Sequence, residues 1–298
     1  MIKTVTHKPV MFKEAIEHLN LKANATVLDC TVGTGGHAQE ILEIIGPKGK
    51  FIGIDRDEDS LEIAQERLHD YKGAYELIKA DFRDIDTVLA NKSIQHVDGV
   101  LFDLGISSYQ LENAERGFSF MREGPLDMRM DRESYISAYD LINSLSENEL
   151  SGILKTFGQE RWHTRIAKFL IRERNANPIS TTKQLSNVVM KAIPRGSGLQ
   201  RIHPATRTFM AFRIAVNREL EALELALEKG VGLLKDSARI VVISFHSLED
   251  RIVKEKFRAC AKEKELRIIT KKPLRPTQEE MHTNVRSRSA KLRAAERL

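Results

Sequence analysis

The sequence has only two cysteines among 298 residues, Cys30 and Cys260, 230 positions apart. That excludes a disulfide framework and a clustered cysteine metal site, and it fits a reducing compartment. No run approaches the roughly 18 apolar residues of a membrane span. The first twenty residues place His7, Lys8, Lys13, Glu14, Glu17 and His18 where a signal peptide carries an unbroken apolar region. A cytoplasmic location is therefore expected. Internal repeats and low-complexity tracts are absent, and hydrophobic residues at 41% with charged residues at 30% lie outside the range of a disordered chain. What remains is a globular protein, long enough at roughly 150 residues per domain for two domains or one large one.

The net charge of +5 conceals an uneven distribution. Residues 161–218 hold twelve bases and one acid, and residues 251–298 hold fifteen bases and six acids. The other 192 residues therefore carry −15, an acidic body bearing tracts of +11 and +9. This arrangement suits a polyanionic partner, and ordinary solvated surface is the competing account.

Short apolar runs predict strands over 26–29, 51–54, 75–78, 97–102 and 239–245, separated early by helical patterns over 37–45 and 59–68. Alternation of this kind indicates an α/β sandwich with a largely parallel sheet. Between the fourth strand and the last lies a long stretch with little strand pattern. Helices are expected there over 134–145, 147–156, 162–173, 182–192 and 203–228, with breaks at Asn177-Pro178 and 194–198. The predicted organisation is a core over 1–109, a helical insertion over 110–214, and the rest of the core with a basic terminal element over 215–298.

The turn Gly33-Thr34-Gly35-Gly36 between a strand and a helix lets backbone approach a ligand and points helix N-terminal amides toward it. The dinucleotide fingerprint would need a third glycine where this chain has Ala38. Asp55 ends the second strand, where an acid accepts hydrogen bonds from ribose hydroxyls. Asp81 and Phe82 pair an acceptor with an apolar surface suited to adenine. Asp29, Asp55, Asp81 and Asp103 are all expected at the carboxyl edge of the sheet, where ligands bind in open α/β folds. Acids at strand ends also serve as caps and turn formers, and that reading stays open for each.

After Asp103, the loop over 116–131 has a polar, glycine-bearing character that reads as a substrate lid. Phe118 and Phe120 suit base stacking or core filling, and Arg116 and Arg129 suit phosphate contact. Arg201, His203, Arg207 and Arg213 recur in the basic insertion as phosphate contacts. Ser244 and His246 follow the last strand, but a nucleophile elbow would need glycines flanking the serine. Ser247 and Asp250 match a helix cap there. Arg286 and Arg288 lie in a basic, hydroxyl-rich terminal element whose simplest role is phosphate contact, with a frayed tail as the alternative. The histidines show no metal-ligand spacing.

These strings, above all residues 116–131 and 244–251, resemble the bacterial RsmH (MraW) family of S-adenosylmethionine-dependent N4-cytosine methyltransferases acting on small-subunit ribosomal RNA. The resemblance runs from His7-Lys8-Pro9-Val10 to the terminal 286–297 element. It implies a Rossmann-like methyltransferase core interrupted by an all-helical domain, and methylation of cytosine 1402 in 16S rRNA within the assembled subunit. It further implies that Gly35, Gly36 and His37 line the methionine part of the cofactor. Asp55 then binds the ribose, Phe82 lies at the adenine, and Asp103 with Gln110 completes the pocket. No metal is implied, and dimerisation occurs among relatives. Cys30, Val32, Tyr109 and Val285 depart from the family's usual glycine, phenylalanine and two prolines. Tyr109 adds or removes a stacking surface beside Gln110.

Two other readings compete. A non-catalytic subunit-assembly or RNA-binding factor with the same fold would bind RNA without consuming a methyl donor. A nicotinamide-dependent dehydrogenase rests only on the glycine turn and Asp55. The Asp-Pro-Pro-Tyr motif of many amino-methylating enzymes is absent, since Leu104-Gly105 follows Asp103. The catalytic role expected of Asp103, stabilising a developing positive amine, therefore stands beside a simple capping role.

Overall fold

A computed structural model describes residues 9–194 and 203–298. In chain order the elements are α1 (Phe12–Leu19), β1 (Thr26–Asp29), α2 (Gly36–Ile45), β2 (Lys50–Asp55), α3 (Glu58–Arg67), β3 (Tyr75–Lys79), α4 (Ile85–Asn91) and β4 (Val97–Asp103). There follow α5 (Ser108–Glu112), α6 (Ala138–Ser144), α7 (Glu147–Thr156), α8 (His163–Ala176), α9 (Thr182–Ala192) and α10 (Ala205–Asn217). The chain closes with α11 (Glu219–Gly232), β5 (Leu234–Ser244), α12 (Ser247–Lys262), β6 (Leu266–Ile268), α13 (Gln278–Thr283) and β7 (Lys291–Arg297).

The chain divides into two compact units, Met1–Ser107 with Leu220–Leu298, and Ser108–Glu219. The first holds a seven-stranded sheet in the order β3-β2-β1-β4-β5-β7-β6. Strands β1 to β5 pair in parallel, whereas β7 runs antiparallel to both β5 and β6. The first five follow the doubly wound Rossmann order, and the order reverses between β1 and β4, which places a ligand crevice beyond their carboxyl ends.

Alternation along the strands sends side chains to two separate cores. Leu28, Ile54, Phe102 and Val242 pack on one face with Leu223 and Leu227 of α11, Leu89 of α4 and Phe257 of α12. Val27, Phe51, Leu101 and Ile243 pack on the other with Leu19 of α1 and Ile41 and Ile45 of α2. Helices thus cover both faces, which is why the parallel strands read as unbroken apolar runs.

The second unit is helical. Capping boxes start three of its helices, Ser137 with Asp140 at α6, Ser146 with Glu149 at α7, and Thr181 with Gln184 at α9. Its interior holds Ile142, Leu150, Leu154, Ile166, Leu170, Leu185 and Phe212, all fully buried.

Two expectations are corrected and one alternative is set aside. The helix anticipated over 203–228 is two helices, because Arg218 takes a left-handed conformation at φ 49° between α10 and α11. The frayed-tail alternative for the terminal basic element is set aside, since Lys291–Arg297 forms the buried strand β7 between β5 and β6. The cap of α12 shifts by one residue: His246 and Glu249 form the reciprocal capping box in place of Ser247 and Asp250.

Candidate functional site

The carboxyl edge of the first unit is assembled around the turn that follows β1. Thr31 N–H donates to Asp29 Oδ1 at 3.0 Å, and the Thr31 hydroxyl accepts from Asp103 N–H at 2.6 Å, tying the turn to the end of β4. Val32 N–H donates to the Ile54 carbonyl, and Gly33 N–H donates to Asp55 Oδ2 at 2.9 Å. One loop therefore touches the ends of three neighbouring strands.

Its glycines serve different purposes. Gly33, at φ +51°, would carry a Cβ with nothing closer than a carbonyl oxygen at 3.9 Å, so its missing side chain leaves space open. Gly35 adopts φ +77°, which favours glycine, and its Cβ position lies 3.4 Å from Ala64 of α3. A Cβ on Gly36 would stand 2.4 Å from the Pro9 ring. The last two admit protein rather than ligand on their Cβ side. Their backbone nevertheless opens α2, whose N-terminal amides receive no side-chain cap and are left for an anionic group.

The acids differ in state. Burial pushes the Asp29 carboxyl up to about 7, assisted by the charge of Asp55. Asp55 is raised to about 6, chiefly by burial, although backbone N–H groups of Asp57, Gly33 and Arg56 bind it. A carboxylate offers about four lone-pair sites, so capacity for a hydroxyl donor remains. Asp103 is pushed well above the usual range by burial, then by the charges of Asp29 and Glu249. Its Oδ1 is buried without a hydrogen-bond partner, and its Oδ2 lies 3.6 Å from His37 Nδ1.

His37 is 5% exposed in the first turn of α2 and stacks on Phe12 at 5.7 Å. Burial lowers its pKa to about 4, so the ring is neutral at physiological pH. Its Nε2 also lacks a partner. Two orphaned polar atoms at one strand edge are costly unless a ligand satisfies them.

Asp81 caps the 3-10 turn at Phe82–Asp84. Its carboxylate pairs with Arg56 and, at 2.8 Å, with Arg83, and hydrogen bonds from Arg83 hold its pKa low against the effect of burial. Both guanidinium groups thus occupy the acceptor that spacing had offered to a base. Phe82 is half-buried and meets Phe102 edge-on at 6.0 Å. Arg56, Thr31 and Glu249 escaped the sequence reading, because their roles depend on contacts between distant strand ends.

Ser244 is buried, its hydroxyl donating to the Lys291 carbonyl at 3.3 Å. His246 accepts from Glu249 N–H through Nδ1, while Glu249 accepts Phe245 N–H at 2.7 Å and His246 N–H at 3.2 Å. These bonds start α12 and turn the Ser244 hydroxyl to the fold, which corrects the substrate contact expected of Ser244, whereas His246 Nε2 is buried without a hydrogen-bond partner, 3.0 Å from Glu249 Oε1. Arg286 lies in a 3-10 turn over Val285–Ser289, and Arg288, exposed, donates to the Met281 carbonyl.

In the second unit the expected lid is held by its own arginines. Arg116 is 2% exposed and donates to the carbonyls of Arg129 and Met130 at 3.1 and 2.8 Å. Arg129 grips Asp127 through two nitrogens and donates to the carbonyls of Arg132 and Ser134. Their guanidinium groups organise the loop, which corrects the phosphate contacts expected of them. Phe118 is buried beneath Arg116. Phe120 is half-buried, stacked on His203 at 4.4 Å and edge-on to Phe209. Arg207 is exposed beside the Gln159 carbonyl, and Arg213 pairs with Glu219 through two bonds of 2.9 Å. Tyr109 and Gln110 lie in α5, Gln110 buried and Tyr109 half-buried. Arg201 lies outside the described residues.

The doubly wound order, the glycine turn and the acids at the strand ends define a Rossmann-like nucleoside-binding core, and its chemistry is that of an S-adenosylmethionine-dependent methyltransferase. The chain belongs to the MraW methylase family, whose sequence model matches residues 4–298. It is 46% identical to the ribosomal RNA small subunit methyltransferase H of Clostridium botulinum strain Kyoto, over 98% of this chain and 99% of that one. The protein of the same name from Geobacter sulfurreducens is 48% identical over 99% and 100%. Among solved structures, an rRNA methylase from Streptococcus thermophilus aligns over 96% of this chain and 93% of its own, at 12% identity and a TM-score of 0.43.

The residues present fit the cofactor. S-adenosylmethionine carries a sulfonium, two ribose hydroxyls and an amino acid. The core offers raised carboxyls that a cation restores to their charged form, remaining acceptor capacity on Asp55, uncapped helix amides and open space at Gly33.

Proposed function

We propose that this protein methylates the exocyclic N4 amine of cytosine 1402 in 16S ribosomal RNA, on the small ribosomal subunit in the cytoplasm. Near-full-length identity of 44–48% to proteins named ribosomal RNA small subunit methyltransferase H supports the substrate class. The observation that carries the chemistry is the unpartnered, buried Oδ1 of Asp103 at the carboxyl end of β4.

Bound S-adenosylmethionine supplies an electrophilic methyl whose transfer forms a carbon–nitrogen bond, breaks the sulfur–carbon bond and leaves S-adenosylhomocysteine. Asp103 is the catalytic residue in this reading. Its Oδ1 accepts a hydrogen from the attacking amine, orients the nitrogen and takes the proton that the methylated amine sheds. Burial and the neighbouring acids favour its protonated form, and a positive charge placed beside it would restore the carboxylate that accepts the proton. Thr31 positions it by accepting its backbone N–H, and neutral His37 fills the adjoining space without bringing a second positive charge. Asp55 holds the ribose, and the α2 amides with Gly35 and Gly36 hold the amino-acid end. Asp81, paired with Arg56 and Arg83, fixes the turn that presents Phe82 to the adenine. In the inserted unit, the stacked Phe120 and His203 with Arg207 offer aromatic and cationic contact to RNA.

The test is methyl transfer to small subunits from cells lacking this protein, with Asp103→Asn beside the wild type. The expected loss in kcat is roughly 10²- to 10⁴-fold. Transfer at full rate by that variant removes Asp103 from the mechanism, and transfer to a base other than the named cytosine removes the substrate assignment.

A further inference from the structure

On the β6 side of the first unit, a cavity of about 400 Å³ is lined by Lys254, Phe257, Arg258 and Ala261 of α12, by Ile268, Thr270 and Lys271, and by Arg293 of β7. Positions 254, 257, 258 and 261 share one face of a helix, so α12 turns two cations and two apolar groups toward the same space. No acid lines it. Among the described residues, Lys254, Arg258 and Lys271 have no acidic partner, whereas Lys229, Lys235, Arg239 and Lys291 of the same unit are each paired.

Arg293 supplies the second observation. It is 7% exposed, and its one ion pair, to Asp250, runs through Nε at 2.7 Å. Asp250 is already shared with Lys291 at 2.8 Å. The terminal nitrogens of Arg293 have no partner among the described residues, in a side chain that lines the cavity. The terminal nitrogens of Arg293 remain free to donate at the cavity wall, beside three cations that no acid pairs among the described residues, and this combination suits an anion. The Thr270 hydroxyl, whose oxygen already accepts from Ala294 N–H, keeps its proton to donate. Phe257 and Ile268 give the floor an apolar character suited to a sugar or base edge. The volume is that of a nucleotide rather than of a lone ion.

We infer that this cavity is a nucleotide subsite that holds a phosphodiester unit of the substrate ribosomal RNA, apart from the cofactor crevice and on the same rigid sheet. Strand β6 stands three positions from β4, about 15 Å at ~4.8 Å per strand. The subsite therefore grips the RNA backbone at a fixed distance from the reacting base and supplies affinity without touching the chemistry. The inference rests on the proposed RNA substrate, and it assigns one destination to the terminal basic tract.

The test is a triple variant, Lys254→Ala, Arg258→Ala and Lys271→Ala, in the full chain. Binding of S-adenosylmethionine, followed by calorimetry, is expected to stay within about twofold of wild type, since none of the three touches the cofactor crevice. Affinity for small subunits from cells lacking this protein is expected to fall about tenfold or more at 0.1 M salt. The slope of log affinity against log salt should fall by about 0.7, the contribution of one phosphate held on a single strand. Unchanged subunit affinity and slope overturn the subsite, as does a wild type that binds no subunits. A mononucleotide, AMP or ATP, that binds the cavity in wild type and loses affinity in the variant while subunit affinity holds also overturns it. A wild type that binds subunits in a slope-dependent way yet methylates nothing leaves the subsite standing and removes the proposed reaction.

Discussion

Asp29→Asn isolates the electrostatic cost of the carboxyl edge. Asp29 is 1% exposed and faces Asp55, and its pKa is raised to about 7 against ~3.9 in an unfolded chain. Below pH ~4 both states hold the proton and the residue costs nothing. Between ~4 and about 7 the unfolded chain releases its proton while the folded one retains it, so stability falls by ~1.4 kcal/mol per pH unit. Above about 7 the loss is complete, at ~4 kcal/mol. Asparagine has nearly the same shape and keeps an oxygen for the Thr31 N–H, but it never ionises. The variant should therefore gain on wild type as pH rises, by about 1–2 kcal/mol at pH 5 and about 4 kcal/mol at pH 8. Thermal melts across this range at constant ionic strength should show the gap in Tm widening by on the order of 5 °C. Parallel curves would refute the assignment of a buried, proton-holding Asp29. A gap that narrows with pH would reverse its sign and show a carboxylate stabilised by its surroundings.

Other consequences follow from the same geometry. A sulfonium placed among Asp29, Asp55 and Asp103 lowers their raised pKa values, so S-adenosylmethionine should bind with proton release and gain affinity as pH rises from about 5 to about 7. S-adenosylhomocysteine, without that charge, should show much less dependence, and calorimetry in buffers of different ionisation heat compares the two. Equal pH dependence would detach the acids from the cofactor's charge. Arg116→Ala should destabilise the inserted unit by about 2–4 kcal/mol, since two loop carbonyls lose a buried charged donor, as urea unfolding would register. A variant of unchanged stability but weakened RNA affinity would restore the phosphate role.

The parallel half of the sheet was legible because β1, β2, β4 and β5 are buried on both faces and so read as short apolar runs. Strand β7 was not, although it is nearly fully buried, because Lys291, Arg293 and Glu296 interrupt its pattern. Those charges are neutralised by Asp250, Arg239 and Arg267, partners that lie far away in sequence. The break at Arg218 lacks the glycine or proline that would announce it. In the site, the acids at the strand ends could be located from spacing, but not their states. Asp81 is consumed by Arg56 and Arg83, and Asp103 is left with an orphaned oxygen, and both outcomes arise from loops that meet only in the fold. Arg116 looked like a phosphate ligand because a buried arginine and an exposed one are the same letter.

The most direct measurement is nucleoside analysis of 16S rRNA, mapped at the decoding-region cytosine, from cells with and without this protein. N4 methylation is expected to vanish at that single base in the deletion, to return with the wild-type chain, and to stay absent with Asp103→Asn. Unchanged N4 methylation at that cytosine in the deletion would contradict the account.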